Sequence, residues 1–276
     1  MERFMIQRNR HDAIIALVRR QGYASIEQLA GDFGVTPQTI RRDLNLLANE
    51  GRLRRVHGGA GLESSTVNTA YQTRKTLNLA AKQRIARLLA RQIPDNTSLF
   101  INIGTTNEIF AEALADHHGL EVITNNLNVA AILQHQEDFN VIVAGGQVRS
   151  RDGGIIGEAT IDFINQFKVD YGIIGISGID DDGSLLEFDY QEVRVAQAII
   201  HNSRQVMLLA DHSKFHRNAV VRQGNIAQID ALFTDRQPPE RLLQLIEAHD
   251  VALHIAEEPA TAGSLEDDTG PAQQSR

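Results

Sequence analysis

The chain has 276 residues, enough for one small and one medium-sized domain with separate hydrophobic cores. It contains no cysteine, which excludes disulfide bonds and thiolate metal sites, and we expect no metal or other cofactor. No apolar run approaches the ~20 residues that a membrane helix needs, and the N-terminus lacks the layout of a signal peptide. We therefore expect a cytoplasmic protein.

The net charge of −8 is unevenly distributed along the chain. Residues 1–60 carry ten Arg and no Lys against six acidic residues, a net charge of +4, whereas the other 216 residues carry −12. Because salt screens surface charges within about 8 Å, a ligand near the N-terminus responds to the local positive charge. A basic small domain on an acidic body is typical of a DNA-binding protein, although a solvated face gives the same pattern.

Periodicity in the first 50 residues predicts three short helices. Apolar residues between 14 and 18 form the stripe of the first helix, which Gly22 is placed to end. Ser25 and Gln28 have the spacing of a capping box for the second helix. Thr36 is a good N-cap for the third helix because its hydroxyl can accept a backbone hydrogen bond. Pro37 follows at the first helical position, where its missing N–H costs nothing.

The third predicted helix has one apolar and one polar face. Ile40, Leu44 and Leu47 recur at i, i+4 and i+7, and Gly51 ends the pattern. Gln and Arg on the other face are the side chains that hydrogen-bond adenine and guanine edges. A short helix, a tight turn and an Arg-bearing helix predict a helix-turn-helix, with a three-helix protein-interaction module as the alternative. The polar face contains Gln38, Thr39, Arg41, Arg42 and Asn45.

A basic wing is predicted to follow the third helix. Residues 52–59 alternate like a strand and end in a glycine turn, which would lay their arginines along the DNA backbone. Residues 1–60 are therefore expected to form a winged helix-turn-helix domain. Its predicted DNA-binding residues are Ser25, Thr36, Pro37, Gln38, Thr39, Arg41, Arg42, Asn45, Arg54, Arg55 and His57.

The rest of the chain predicts a larger α/β domain. Residues 61–80 are polar and without a clear period, so we expect a connector, and a helix follows near 81–92. Continuous apolar strands then alternate with helix-length segments, which predicts a mainly parallel sheet covered on both faces over residues 81–256. The acidic stretch 257–276 is predicted to be disordered. Strands are expected at 99–103, 122–124, 141–144, 171–176, 206–210 and 231–233, and helices at 107–116, 127–135, 159–166 and 190–202.

Small and amide residues follow several of these strands. In parallel sheets the ligand binds at the carboxyl ends of the strands, and a glycine–hydroxyl loop opening a helix offers N–H groups to a phosphate. Each loop alone is a weak signal, since strand-to-helix turns need glycine anyway. Arg149 and Arg151 are equally compatible with a phosphate clamp and with simple solvation. The candidate effector-binding residues are Gly104, Thr105, Thr106, Asn125, Asn126, Gly145, Gly146 and Lys214.

The sequence resembles the DeoR family of bacterial transcriptional repressors over residues 6–256. The resemblance is carried by GYASIEQL at 22–29, VTPQTIRRDL at 35–44 and HGGA at 57–60. It implies a homo-oligomer that binds operator DNA and releases it when an effector binds the α/β domain. Activation of some genes instead of repression stays open.

The sensor domain of the family resembles ribose-5-phosphate isomerase, and the likeness falls on residues 104–106, 124–126 and 211–214. It also implies Glu192 as an effector-binding residue. The enzyme pairs such an acid with a lysine in a glycine-rich stretch, but the stretch 180–184 has none, and no lysine lies between Lys168 and Lys214. Isomerisation through an enediolate needs a proton-transfer pair and a positive charge that stabilises the enediolate. Without that lysine, the resemblance implies a sensor and no catalysis. A sugar-phosphate isomerase fused to a DNA-binding domain is the alternative.

Within the family, the resemblance is strongest to members that control glycerol metabolism. It is carried by STVNT at 65–69, TNNLNVA at 124–130, RSRDGGIIGEA at 149–159 and DGSLLEFDY at 182–190. It implies sn-glycerol 3-phosphate as the inducer. A different sugar phosphate, such as a phosphorylated hexose or deoxyribose, is the alternative inducer.

Overall fold

The computed structural model describes residues 2–21, 23–50, 52–56, 58–61, 66 and 68–258. Three predictions therefore lie outside the described residues: the helix-ending glycines Gly22 and Gly51, and the DNA-binding role of His57. Most of the tail at 257–276 also lies outside them. Among the described residues no helix is both long and apolar enough to cross a membrane.

The N-terminal domain is a winged helix-turn-helix, as predicted. Helices α1 (Glu2–Gln21), α2 (Ile26–Phe33) and α3 (Pro37–Asn49) pack around one core, and Ile40, Leu44 and Leu47 of α3 are fully buried in it. Strands β1 (Tyr23–Ser25), β2 (Arg54–Val56) and β3 (Gly59–Gly61) form an antiparallel sheet in the order β1-β3-β2. The hairpin of β2 and β3 is the predicted wing, whereas β1 was not predicted.

Local sequence signals fix the turns between these helices. The Ser25 hydroxyl accepts a hydrogen bond from the Gln28 N–H at 3.0 Å, and the Thr36 hydroxyl accepts one from Thr39 at 3.3 Å. Gly34 ends α2 in the left-handed conformation, at φ 61°. The predicted capping box is only half formed. Its second contact, from the Ser25 N–H to the Gln28 side chain, is missing, and the Gln28 side chain instead donates to Gln21 at 3.0 Å.

A seven-stranded parallel sheet forms the larger domain. Its order is β15-β14-β12-β9-β4-β5-β6, and the shorter strands form a hairpin, β7 with β8, and a small antiparallel sheet, β10-β11-β13. The strands are β4 (Ser98–Ile101), β5 (Glu121–Thr124), β6 (Asn140–Val143), β7 (Gln147–Val148), β8 (Ile155–Ile156), β9 (Val169–Gly175), β10 (Gly178–Ile179), β11 (Ser184–Glu187), β12 (Ser203–Leu209), β13 (Val221–Asn225), β14 (Ala231–Thr234) and β15 (Ala252–Ile255).

Helices cover both faces of the sheet. Successive residues of a strand point to opposite faces, so Leu99 and Ile101 pack in one core and Phe100 in the other. The first core lies against α5, α6 and α7, and the second against α8, α9 and α10. The helices are α4 (Tyr71–Thr76), α5 (Leu79–Ala90), α6 (Thr105–Glu112), α7 (Leu127–Leu133), α8 (Glu158–Ile164), α9 (Tyr190–His201) and α10 (Glu240–Ala248).

Candidate functional site

The outer face of α3 carries the residues that the sequence assigns to DNA. Arg41 and Arg42 are exposed and, among the described residues, neither side chain makes a salt bridge or hydrogen bond. Arginine forks of this kind can hydrogen-bond guanine edges or backbone phosphates. Thr36, Pro37, Gln38 and Asn45 are also exposed, while Ser25, Thr39, Arg54 and Arg55 are half-buried.

A buried ion pair fixes α3 against α1. The Asp43 carboxylate is almost fully buried and accepts hydrogen bonds from Arg10 Nε at 2.7 Å and His11 Nε2 at 2.9 Å. Burial alone would raise the pKa of Asp43, but these two hydrogen bonds outweigh it and hold the pKa below its usual value. The pair therefore sets the angle at which the exposed face of α3 is presented.

Replacing Asp43 by alanine is expected to destabilise the N-terminal domain by about 3 kcal/mol, because Arg10 is left without its buried partner. Amide hydrogen exchange of α3 measures this loss. The matched control is Asp12→Ala, whose ion pair with Arg52 is exposed to solvent and contributes little to stability. Equal protection of α3 in both variants would contradict the role of the buried pair.

The loop after β4 opens α6 at the carboxyl edge of the sheet. Gly104 has φ 151°, a conformation that favours glycine, and the first N–H groups of α6 have no acceptor within the helix. Thr105 and Thr106 follow and are buried. This helix N-terminus can bind an anion through its N–H groups and its positive dipole end.

Two lysines lie near a carboxylate beside this loop. Lys82 on α5 is buried and donates to the Thr105 hydroxyl at 3.0 Å. The buried Asp211, which follows β12, accepts a hydrogen bond from Asn78 at 2.8 Å. Burial alone would raise the pKa of Asp211, but Lys214 and Lys82 outweigh it and lower the pKa. Asp211 therefore carries its negative charge near both lysines, without a salt bridge to either of them within the described structure.

Lys214 has no direct partner within the described part of the chain. Its ammonium makes neither a salt bridge nor a hydrogen bond there, and its interaction with Asp211 is through space. Burial lowers the pKa of Lys214 to about 7, although Asp211 partly opposes the shift. An anion reaching this ammonium would supply the missing partner and favour its charged form.

Three buried amide oxygens at the same edge lack a donor. The Oδ1 atoms of Asn102, Asn107 and Asn125 have no hydrogen-bond partner among the described residues. Nε of the half-buried Arg74 is also unpartnered there. A buried unsatisfied polar atom costs about 1–3 kcal/mol, so a ligand with hydroxyl donors would relieve the unsatisfied amide oxygens. The edge therefore offers both cations and hydrogen-bond acceptors.

Asn126 lies next to Asn125 but is occupied in the fold. Its side chain caps α7 by accepting from the Asn128 N–H at 2.9 Å and donates to Glu108 at 3.3 Å. Asn125 donates to the Ile155 carbonyl at 3.1 Å, which leaves only its oxygen open. Both residues pair with the start of β8, where the Ile155 N–H donates to the Asn125 carbonyl at 2.7 Å and Asn126 forms an antiparallel bridge with Gly154.

The remaining predicted effector residues make other contacts within the fold. Gly145 and Gly146 follow the edge strand β6 and are exposed, and the Gly145 carbonyl accepts from Thr160 at 2.9 Å. Glu192 is ion-paired with Arg149 at 2.7 Å. The Arg149 guanidinium also contacts Asp152 and Asp189, so it is neither solvated nor free to clamp a phosphate.

Sequence reasoning missed Lys82 and Arg74 as members of the cluster, and it placed Asp211 in the matching stretch 211–214 without assigning it to the effector. One signal could have found Lys82: it shares helical spacing with the buried Ile85, Ala86 and Leu89, and a lysine on an apolar face needs a partner. Arg74 lies in the segment predicted as a connector, where no pattern marks it.

Comparisons with known proteins agree with this architecture. Residues 10–66 match the DeoR-like helix-turn-helix domain, and residues 77–236 match the DeoR C terminal sensor domain. The glycerol-3-phosphate regulon repressor of Escherichia coli (strain K12) is 57% identical over 251 residues, which cover 91% of this chain and all of the relative. The protein of the same name from Haemophilus influenzae is 53% identical over 234 residues, covering 85% of this chain and 91% of the relative.

Among solved structures, ribose 5-phosphate isomerase A from Methanocaldococcus jannaschii is similar to half of this chain. The match covers 50% of this chain and 55% of the isomerase, with a TM-score of 0.37 and 13% sequence identity.

Proposed function

This chain belongs to the DeoR family of transcriptional regulators, and from that premise we propose that it is a DNA-binding repressor induced by sn-glycerol 3-phosphate. The name of the 57% identical Escherichia coli relative supports this assignment of the controlled genes. The family match covers both the DNA-binding and the sensor domain. The protein acts in the cytoplasm, on operator DNA.

One observation carries the proposed ligand class: the unpaired Lys214 ammonium lies at the same sheet edge as three unsatisfied amide oxygens. A phosphate dianion matches the lysines and the N-terminus of α6. Hydroxyl groups match the amide oxygens, because they can donate hydrogen bonds. Glycerol 3-phosphate combines one phosphate with two hydroxyl groups, so it fits both halves of the cluster. Gly104, Thr105, Thr106, Asn125 and Lys214 are the residues we assign to it.

Release of DNA follows from a shift between two conformations. We propose a homo-oligomer that places two or more α3 helices in successive major grooves. The effector favours a conformation in which the spacing of these helices no longer fits the operator. The change in operator affinity is limited by the difference in effector affinity between the two conformations, commonly ~1–3 kcal/mol.

Thermal stability of the purified protein tests the ligand. A ligand at 100-fold its dissociation constant stabilises the native state by about 2.7 kcal/mol, which raises the melting temperature. We expect this rise with sn-glycerol 3-phosphate and none with glycerol. Ribose 5-phosphate and fructose 1-phosphate complete the panel. A rise only with one of these sugar phosphates would identify that compound as the inducer instead. No rise with any compound would contradict the proposed sensor role of the larger domain.

The isomerase alternative has one observation in its favour. Burial, with a further effect of Glu192, raises the pKa of Glu187 to about 7, and the pKa of Lys214 also lies at about 7. General acid–base catalysis uses groups whose pKa lies near the working pH, and each of these two groups meets that condition separately. We propose that this pocket senses its ligand without turnover. Conversion of ribose 5-phosphate by the purified protein, and its loss in Lys214→Met, would overturn that proposal.

Effector affinity is expected to fall as the pH rises from 7 to 9. The phosphate of the effector stays a dianion over this range, so the change comes from the protein. Only the protonated form of Lys214 forms an ion pair with the phosphate. The pKa of Lys214 is lowered to about 7 by burial, which Asp211 opposes and the nearby cations Arg217, Lys82 and Arg74 reinforce. Lys82, with a pKa lowered by burial to about 8, acts in the same direction.

Calorimetric titration at constant ionic strength measures this pH dependence. We expect the affinity to fall by up to about tenfold per pH unit for each lysine that must be protonated, first for Lys214 above pH 7 and then also for Lys82 above pH 8. The heats in two buffers of different ionisation enthalpy give proton uptake on binding at pH 8. A constant affinity without proton uptake would contradict the assignment of the lysines to the phosphate.

A further inference from the structure

One short segment, residues 212–217, touches both the sensor pocket and the DNA-binding wing. It leaves the end of β12 at Asp211 and includes Lys214. Two residues further on, the carbonyl oxygen of His216 accepts a hydrogen bond from Arg54 Nη2 at 2.8 Å. Arg54 lies in β2 of the wing, 162 positions away in the sequence. Only two residues therefore separate Lys214 from the carbonyl group that contacts the wing.

Arg217, at the end of this segment, also holds the connector between the two domains. Its Nη2 atom donates to Asn68 Oδ1 at 2.8 Å and to the Thr69 hydroxyl at 3.3 Å. Its Nη1 atom donates to the Ser177 carbonyl at 3.0 Å, and Asn68 Nδ2 donates to the Ser177 hydroxyl at 3.2 Å. Ser177 follows β9 at the pocket edge. The guanidinium thus ties the connector to the rim of the pocket.

The 212–217 segment is held against β10 by close backbone contacts. The His216 N–H donates to the Ile179 carbonyl at 2.9 Å, and His216 has φ 56°, the left-handed region that non-glycine residues seldom adopt. A Cβ atom on Gly178 would lie 1.9 Å from the Arg217 carbonyl oxygen, so only glycine permits this approach. The segment cannot absorb a shift at Lys214 by bending locally without breaking these contacts.

The connector contacts the DNA-binding domain as well. The Ala70 N–H donates to the carbonyl of Gln21, the last residue of α1, at 3.4 Å. Asn68 and Thr69, which Arg217 holds, immediately precede Ala70. Movement of Arg217 therefore changes the position of the connector where it meets α1.

Building on the proposed function, we propose that Arg217 is the positioning residue that couples the effector pocket to the DNA-binding domain. Effector binding at Lys214 shifts the 212–217 segment. Arg217 passes the shift to Asn68 and Thr69, and the His216 carbonyl passes it to Arg54. Without the Arg217 guanidinium the protein still binds effector and operator, but each has a smaller effect on the other, because only the contact between His216 and Arg54 remains.

The test uses Arg217→Met, which keeps an unbranched side chain and removes the guanidinium, with all its donors and its stacking over the Phe188 ring. Calorimetry gives the affinity for sn-glycerol 3-phosphate. Fluorescence anisotropy gives the affinity for the DNA site that the wild-type protein selects from a random duplex pool, with and without effector. The ratio of these two DNA affinities is the coupling, typically about 5–150-fold in allosteric proteins. We expect it to fall several-fold in Arg217→Met, because only the contact between His216 and Arg54 remains, with the operator affinity in the absence of effector near wild type.

A second variant and a control decide the outcome. Asn68→Ala removes the other end of the same contact and should lower the coupling in the same way, even where Arg217→Met fails to fold. Arg204→Met removes an exposed arginine at the opposite end of β12 and should leave the coupling unchanged. Wild-type coupling in Asn68→Ala and in any folded Arg217→Met would overturn this proposal alone. A wild-type protein that binds no phosphate of the panel would overturn the proposed function, and with it the premise of the coupling.

Discussion

Replacing Lys214 by methionine is expected to weaken sn-glycerol 3-phosphate binding by about 30-fold or more, the effect of losing ~2 kcal/mol or more from a buried charge pair. The ammonium has no salt bridge or hydrogen bond to another described residue, so its charge is available to the ligand. Methionine keeps most of the side-chain volume, which limits the change to the charge. Calorimetric titration of the purified variant measures the loss.

Lys168→Met is the matched control for this experiment. Lys168 is exposed and donates to the carbonyls of His201 and Ser203 at the opposite end of the sheet. Its replacement removes the same charge from the protein without touching the pocket, so effector affinity should stay near wild type. Wild-type affinity in Lys214→Met would show that the phosphate binds elsewhere. An equal loss in both variants would point to net charge and not to a specific contact.

Replacing Arg41 or Arg42 by alanine is expected to weaken binding to the selected operator by about 5- to 150-fold each. A bidentate contact to a base is worth about 1–3 kcal/mol, and both guanidinium groups are exposed on the outer face of α3. Because neither has a salt bridge or hydrogen bond within the described structure, the domain loses little stability on their removal.

The salt dependence of operator binding distinguishes the two roles that such an arginine can have. Loss of a phosphate contact lowers the salt slope by about 1, whereas loss of a base contact leaves the slope unchanged and relaxes specificity at one position. Arg204→Ala removes one positive charge from the sensor domain and serves as the control. Wild-type operator affinity in both Arg41→Ala and Arg42→Ala would contradict α3 as the recognition helix.

Sequence patterns predicted the elements whose signals are local or strongly periodic. The turn at Gly34 and the cap at Thr36 act through their nearest neighbours, so the helix-turn-helix could be predicted from a few residues. The strands β4 and β9 contain short apolar runs, LFI at 99–101 and YGII at 171–174, which the sequence pattern detects. The short strand β10, of two residues, has no period to detect, and β15 has the mixed sequence ALHI at the half-exposed edge of the sheet.

Only those pocket residues that directly follow strands could be predicted from the sequence. Gly104, Thr105 and Lys214 follow strands, and parallel strands bring such loops together. Lys82 reaches the same place from a helix, and Arg217 meets Asn68 across 149 positions of sequence. Contacts of this kind depend on tertiary packing, which no local pattern encodes.

Operator affinity with and without sn-glycerol 3-phosphate tests the central claim most directly. The labelled selected operator is titrated with purified protein, in the absence and in the presence of saturating effector, at fixed salt and pH 7. Induction by population shift predicts that the effector raises the apparent dissociation constant by about 5- to 150-fold. An operator affinity unchanged by saturating sn-glycerol 3-phosphate would contradict this account.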